Sequence, residues 1–226
     1  MQTQSEPALP AVSQQLSRPG TNQCVILEGI TWETYERLLA EHTESSGTHF
    51  TYDQGRLEIM VLSAEHEALK HALELLVEIF AEELNIDVRG FGSTTFRRAD
   101  LHRGFEPDAC FYVQQESRMR GKREIRLSVD PPPDLIIEID VSHPSLNKLP
   151  LFATLRIPEV WRYDSAQVII LKLTGEMYEE MAESTALAGV TSEALSQFVR
   201  DNSRLQPTVW RREVREWARK NLLKAS

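Results

Sequence analysis

Three carboxylates stand where a buried strand would carry apolar residues. Along Leu135-Ile136-Ile137-Glu138-Ile139-Asp140-Val141 side chains alternate faces, so the odd-numbered residues form one apolar face. Glu138 and Asp140 project together from the other. The stretch from Phe105 to Val113 reads as a second strand, with Asp108 and Cys110 opposite Ala109 and Phe111. Burying three unpaired carboxylates is very costly. Two resolutions are open. Either a divalent cation sits between the acids, and hard oxygen ligands then favour Mg2+ or Mn2+, or the acids lie at strand ends, solvated or paired with arginine. Further groups could join them. His66 is in helical phase with Leu69 and Leu73 and so points inward, toward the acids or as a hydrogen-bonded core histidine. Glu58 lies opposite in face to Leu57 and Ile59. Lys148 follows Asp140 closely enough to reach the cluster, although a lone lysine is commonly a solvated surface residue.

The elements that must position these groups follow from periodicity. Thr31 can cap a helix carrying Trp32, Tyr35, Leu38 and Leu39. A hairpin follows, with Phe50 and Tyr52 on one strand face, a turn at Asp53-Gln54-Gly55, and Leu57 and Ile59 on the return. Ser63 can cap a long helix to about Asn85, with an apolar stripe through Leu69, Leu73, Leu76, Phe80 and Leu84. Short strands are expected around Gly90 and Gly92, then the two acid-bearing strands. A short helix from about Leu146 to Arg156 leads to a hairpin, Glu159–Tyr163 and Val168–Leu173. Helices near 192–202 and 208–223 finish the chain; Trp210 and Trp217 on the last suit core packing or a dimer contact. The order predicts an α/β (α+β) fold, a mixed β-sheet flanked by helices.

The 226 residues suit one domain with terminal additions: a disordered leader over 1–22, a domain over 23–203, and a helical extension over 204–226 packed on it. No apolar run approaches the roughly 18–20 residues of a spanning helix. Two cysteines, Cys24 and Cys110, exclude a disulfide framework, and the absence of a signal-peptide pattern makes the cytoplasm the expected compartment.

The pieces also resemble a known family. Tyr52-Asp53-Gln54-Gly55-Arg56-Leu57-Glu58-Ile59-Met60 and Glu65-His66-Glu67 are similar to the front half of Uma2 (DUF820) proteins. Gly92-Ser93-Thr94-Thr95-Phe96, Glu106-Pro107-Asp108-Ala109-Cys110-Phe111, Pro131 through Asp140, and Ile157-Pro158-Glu159-Val160-Trp161-Arg162 continue the resemblance, which covers about residues 25–200. The closest likeness is to cyanobacterial versions. It implies a restriction-endonuclease-like PD-(D/E)XK core and metal-dependent hydrolysis of phosphodiesters, with DNA as the expected substrate. Pro107-Asp108 then matches the "PD", and Glu138-Ile139-Asp140 fills the "(D/E)XK" slot, which makes Asp108 and Glu138 metal ligands with Asp140 assisting. The lysine position is held by Asp140. Three outcomes are open: Lys148 substitutes, Asp140 adds a ligand while metal alone activates water, or catalysis is weak or absent. In the catalytic reading Glu58 or His66 positions water or a second ligand, and Lys148 contacts phosphate.

The net charge of −9 argues against nucleic acid until it is divided. Residues 89–126 carry net +4 and residues 200–226 net +5, which leaves −18 elsewhere. Arg97, Arg98 and Arg103 flank the Asp108 strand, where a phosphate backbone would lie, or else are solvated loop residues. No helix-turn-helix, zinc finger, P-loop or dinucleotide fingerprint is present. The rival to a nuclease is a catalytically degenerate module that keeps the fold and binds nucleic acid or protein. A homodimer would suit an enzyme that cuts both strands.

Overall fold

The computed structural model describes residues 12–14, 22–42, 47–141 and 146–222. Local chemistry places its elements. After β1 (Val12–Gln14) and β2 (Gln23–Glu28), Thr31 caps α1 (Trp32–Glu41) by accepting from the Thr34 N–H. β3 (Thr48–Asp53) and β4 (Arg56–Val61) pair around Gln54 and Gly55, both at positive φ, as a tight two-residue hairpin turn requires. Ser63 caps α2 (Ala64–Leu84), which ends on left-handed Asn85. Next come β5 (Arg89–Gly90), β6 (Phe96–Arg98), β7 (Arg103–Phe105), β8 (Ala109–Tyr112), α3 (Glu116–Met119) and β9 (Leu135–Ile139). The chain ends with α4 (Leu149–Thr154), β10 (Glu159–Tyr163), β11 (Val168–Thr174), β12 (Met177–Met181), α5 (Ser192–Asn202) and α6 (Pro207–Asn221).

Among the described residues these strands form two sheets rather than one. The first runs β1-β2-β4-β3-β7-β6 and the second β12-β11-β10-β9-β8-β5. The second is mixed: β9 and β10 are parallel and its other pairs antiparallel. The expected strand from Phe105 to Val113 is therefore two strands in different sheets. Pro107 lacks an N–H for a ladder, and the chain changes sheets across Glu106-Pro107-Asp108. Glu106 seals the corner, accepting from the Phe50 N–H and the Thr95 hydroxyl. The other acid-bearing strand ends at Ile139, so Asp140 and Val141 lie beyond it. The strand β12 carries no alternating apolar pattern and has no signature in the sequence.

Val12–Gln14 pairs with β2 inside the segment expected to be a disordered leader, and Asn22 at its end is buried. Backbone ladder bonds form independently of side-chain hydrophobicity, which composition alone does not register. The rest of that segment lies outside the described residues. Trp210, Val214 and Ala218 of the C-terminal helix α6, with Leu222 at its end, join the main core, where α6 packs on α2 and α5 and α2 packs on β9. The opposite face of the second sheet packs Cys110, Ile136 and Val160 against Phe152 of α4 and against Phe96 and Phe105 of the first sheet. A third cluster joins α1 to Phe50, Tyr52 and Leu57. No helix among the described residues is long and apolar enough to cross a membrane.

Candidate active site

Alternation along the β3–β4 hairpin decides what faces the seam between the sheets. Phe50, Tyr52 and Leu57 turn toward α1, so His49, Glu58 and Met60 turn the other way. Asp108 arrives at the same seam from the sheet-changing corner. One carboxylate oxygen, Oδ2, accepts from the Ile139 N–H at 2.6 Å and so locks the corner to the end of β9. Its Oδ1 lies 2.8 Å from His66 Nε2 and 3.4 Å from His49 Nδ1. The His66 contact is close, though not aligned as a hydrogen bond.

His66 is fully buried in the first turn of α2, and its second nitrogen, Nδ1, is 2.9 Å from Asn22 Nδ2. Asn22 Oδ1 accepts from the Ser63 N–H, which leaves its amide as the donor and His66 Nδ1 as the acceptor. The ring proton then sits on Nε2, facing Asp108. With Nδ1 bonded to Asn22 and Nε2 against Asp108, the fully buried ring is positioned to orient that carboxylate instead of reaching solvent.

Glu138 leaves the seam face of β9, and Lys148, just before α4, donates to its Oε2 at 2.8 Å. Lys148 Nζ also lies 3.9 Å from Glu58 Oε1, while Glu58 Oε2 accepts from the Leu146 N–H at 2.6 Å. Glu138 Oε1 is buried with no hydrogen-bond partner. These groups border a cavity of about 320 Å3, whose lining includes Asp108, Glu138, Asp140, Lys148, Arg162 and Met60. Asp140 reaches it half-buried, with its backbone tied to Tyr163 and Ser165.

Burial alone would raise the Asp108 pKa, but the contacts from His49 and His66, with the charge of Lys148, hold it well below the carboxylate range. Burial pushes Glu138 up to about 7; Lys148 opposes this, and the Asp108 charge adds to it. For Lys148, desolvation would lower the pKa, yet Glu138, Glu58 and Asp108 together raise it further. The ammonium faces three carboxylates and stays charged. Glu138 faces one ammonium and a competing acid, so it is the member that takes up a proton first.

The donor set suits a hard divalent cation. Among the described residues no three His, Cys, Asp or Glu side chains are assembled as a metal cage. Mg2+ needs none: one or two carboxylates, completed by waters and phosphate oxygens, are its usual protein ligands. Asp108 and Glu138 meet that description, and Glu138 Oε1 is an acceptor still wanting a partner.

Of the groups singled out from sequence, Asp108, Glu138, Asp140 and Lys148 line one cavity, with Glu58 and His66 in the layer behind. Arg97, Arg98 and Arg103 do not line it. They pair with Glu36, Asp100 and Asp53 at 4.0, 2.7 and 2.7 Å. Sequence reasoning missed His49, Asn22 and Arg162. The hairpin register could have found His49, which shares a face with Glu58. Asn22 falls in the segment that composition assigns to the leader, and Arg162 needed the parallel β9–β10 pairing.

No curated protein matches the chain. It is similar to a crystal structure described as "a putative nuclease belonging to DUF820" from Anabaena variabilis ATCC 29413, with 15% identity and a TM-score of 0.50 over 75% of this chain and 99% of that one. At that identity the likeness concerns the fold, which the two share. The Uma2 family model, described as "Putative restriction endonuclease", matches residues 32–206, a span that includes all of the second sheet, β3, β4, β6 and β7 of the first, and every acid of the cavity. The chain belongs to the Uma2 family.

Proposed function

We propose that the protein is a metal-dependent endonuclease that hydrolyses phosphodiester bonds in DNA. One observation carries this reading: Asp108, Glu138 and Lys148 converge on one cavity, with a buried Glu138 oxygen left without a donor. Asp108 and Glu138 would hold Mg2+ or Mn2+, with Asp140 at the rim. The chemistry such an ion supplies when bound is polarisation of the phosphate and a lowered pKa for its water. The chain's own residues do the remaining work. His66 and His49 fix the Asp108 carboxylate, and Asn22 fixes the His66 tautomer. Lys148 holds Glu138 in place and brings positive charge to a site whose usual lysine position is Asp140. Glu58 anchors the segment that carries Lys148 through the Leu146 N–H.

Purified protein with Mg2+ or Mn2+ and mixed DNA substrates tests the reading. Asp108→Ala and Glu138→Ala should each lower cleavage by about a hundredfold or more, as expected where a charge-stabilising group is removed. Cleavage unchanged in both variants overturns it. A second reading, a nuclease-fold module that binds without cutting, draws on Asp140 in the lysine position and on the engagement of Lys148 by two acids. Titration with Mn2+ separates the two, since a degenerate site neither binds the ion appreciably nor cuts.

A further inference from the structure

Arg162 lies on β10 in parallel register with Glu138 on β9, so both side chains leave the same face of the second sheet and border the same cavity. Its surroundings are unusual for an arginine. Nε is buried without a hydrogen-bond partner, and the guanidinium makes no ion pair with any described residue. Glu138 is its strand neighbour, yet gives Oε2 to Lys148. Lys148, the other cation that lines the cavity, is engaged by Glu138 and Glu58. Arg162 is the charge left over.

A guanidinium is weakly hydrated and presents its donors in a rigid fork that matches two oxygens of one phosphate. A half-buried arginine that declines the carboxylates around it has its donors free for an anion entering the cavity. We propose that Arg162 binds the non-bridging oxygens of the phosphodiester in this cavity, beside the carboxylates of Asp108 and Glu138. The assignment rests on the nuclease reading and deepens it. Positive charge on the substrate phosphate then comes from the neighbouring strand, and Lys148 serves to keep Glu138 in position.

The test uses diethyl phosphate, a diester anion without base or sugar, titrated in Mg2+ into full-length protein labelled with 15N-arginine. The Arg162 Nε–H resonance, identified by its loss in Arg162→Lys, should shift saturably. Arg162→Gln should bind the probe about tenfold or more weakly and raise KM for DNA more than it lowers kcat. A resonance unmoved at saturating diethyl phosphate overturns the proposal, as does wild-type KM in Arg162→Gln. If neither variant folds, the titration of the wild-type protein with directly assigned resonances decides the matter alone. Failure of the parent reading looks different: with no DNA cleavage but a saturable Arg162 shift, the phosphate site stands and the nuclease falls.

Discussion

Glu138 has one oxygen tied to Lys148 and one buried with no donor, at the edge of the cavity. Burial raises its pKa to about 7. Below pH 7 the metal-free carboxyl is protonated, so a cation must displace a proton to bind. Mn2+ affinity should therefore rise by about tenfold between pH 6 and pH 8, with about fivefold of it before pH 7, and level off above pH 8. Calorimetric titration at pH 6, 7 and 8 checks this; equal affinity at all three rules it out. Stability runs the other way for this group. The folded state holds the proton more tightly than an unfolded glutamate near 4.5, so its contribution is greatest at low pH and is lost as pH rises from about 4.5 to 7. Asp108 has the opposite sign: its depressed pKa adds stability above the ordinary 3.8, lost as pH falls below it.

At the scale of elements, the corner between β7 and β8 organises the site. Pro107 ends one sheet's ladder, Glu106 ties the corner to β3, and Asp108 ties it to β9. Gly104, just before the corner, lies against the Tyr35 ring of α1. A Cβ there would meet ring atoms at 2.8 Å and overlap the hydroxyl. Gly104→Ala should destabilise the protein by about 1–3 kcal/mol through overpacking, read as a lower urea midpoint at unchanged slope. A midpoint equal to that of the wild type would mean that α1 moves aside freely. Much at this scale was legible. The Thr31 and Ser63 caps, the Gln54-Gly55 turn and the alternation of β9 are local devices, and each marks its element. The break at Pro107 was not read from the sequence: Ala109 to Val113 is an apolar run, and Phe105 to Val113 reads as one strand.

Across the whole molecule, charge and core explain the C-terminal helix. Its basic residues are partly internal: Arg215 pairs with Glu82 and Glu83, and Arg219 with Glu83, all on α2. The local excess of +5 over residues 200–226 is thus in part the complement of an acidic helix rather than a free basic surface. Trp210 is buried and donates its indole N–H to the Phe198 carbonyl. Loss of a core tryptophan alone costs about 3–5 kcal/mol, a large share of a domain's stability. Truncation after Gln206 should therefore abolish the cooperative thermal transition seen by circular dichroism. A truncated chain that melts within about 3 °C of the full-length protein would make α6 dispensable.

Side-chain alternation and helical phase, read along the chain, determined which face each acid takes. They paired Glu138 with Asp140 and turned Glu58 away from Leu57 and His66 inward. These are properties of a few consecutive residues, set by backbone geometry with periods of 2.0 and 3.6. The meeting of Glu58 and His49 from one sheet with Glu138 and Arg162 from the other was decided by tertiary structure. So was the pairing of Lys148 with Glu138, which left Arg162 unpaired. Such contacts join residues far apart in the chain, 88 positions in the case of Glu58 and Leu146. Their partners are chosen by how the two sheets pack across the seam, a sum over the whole core that no local pattern contains.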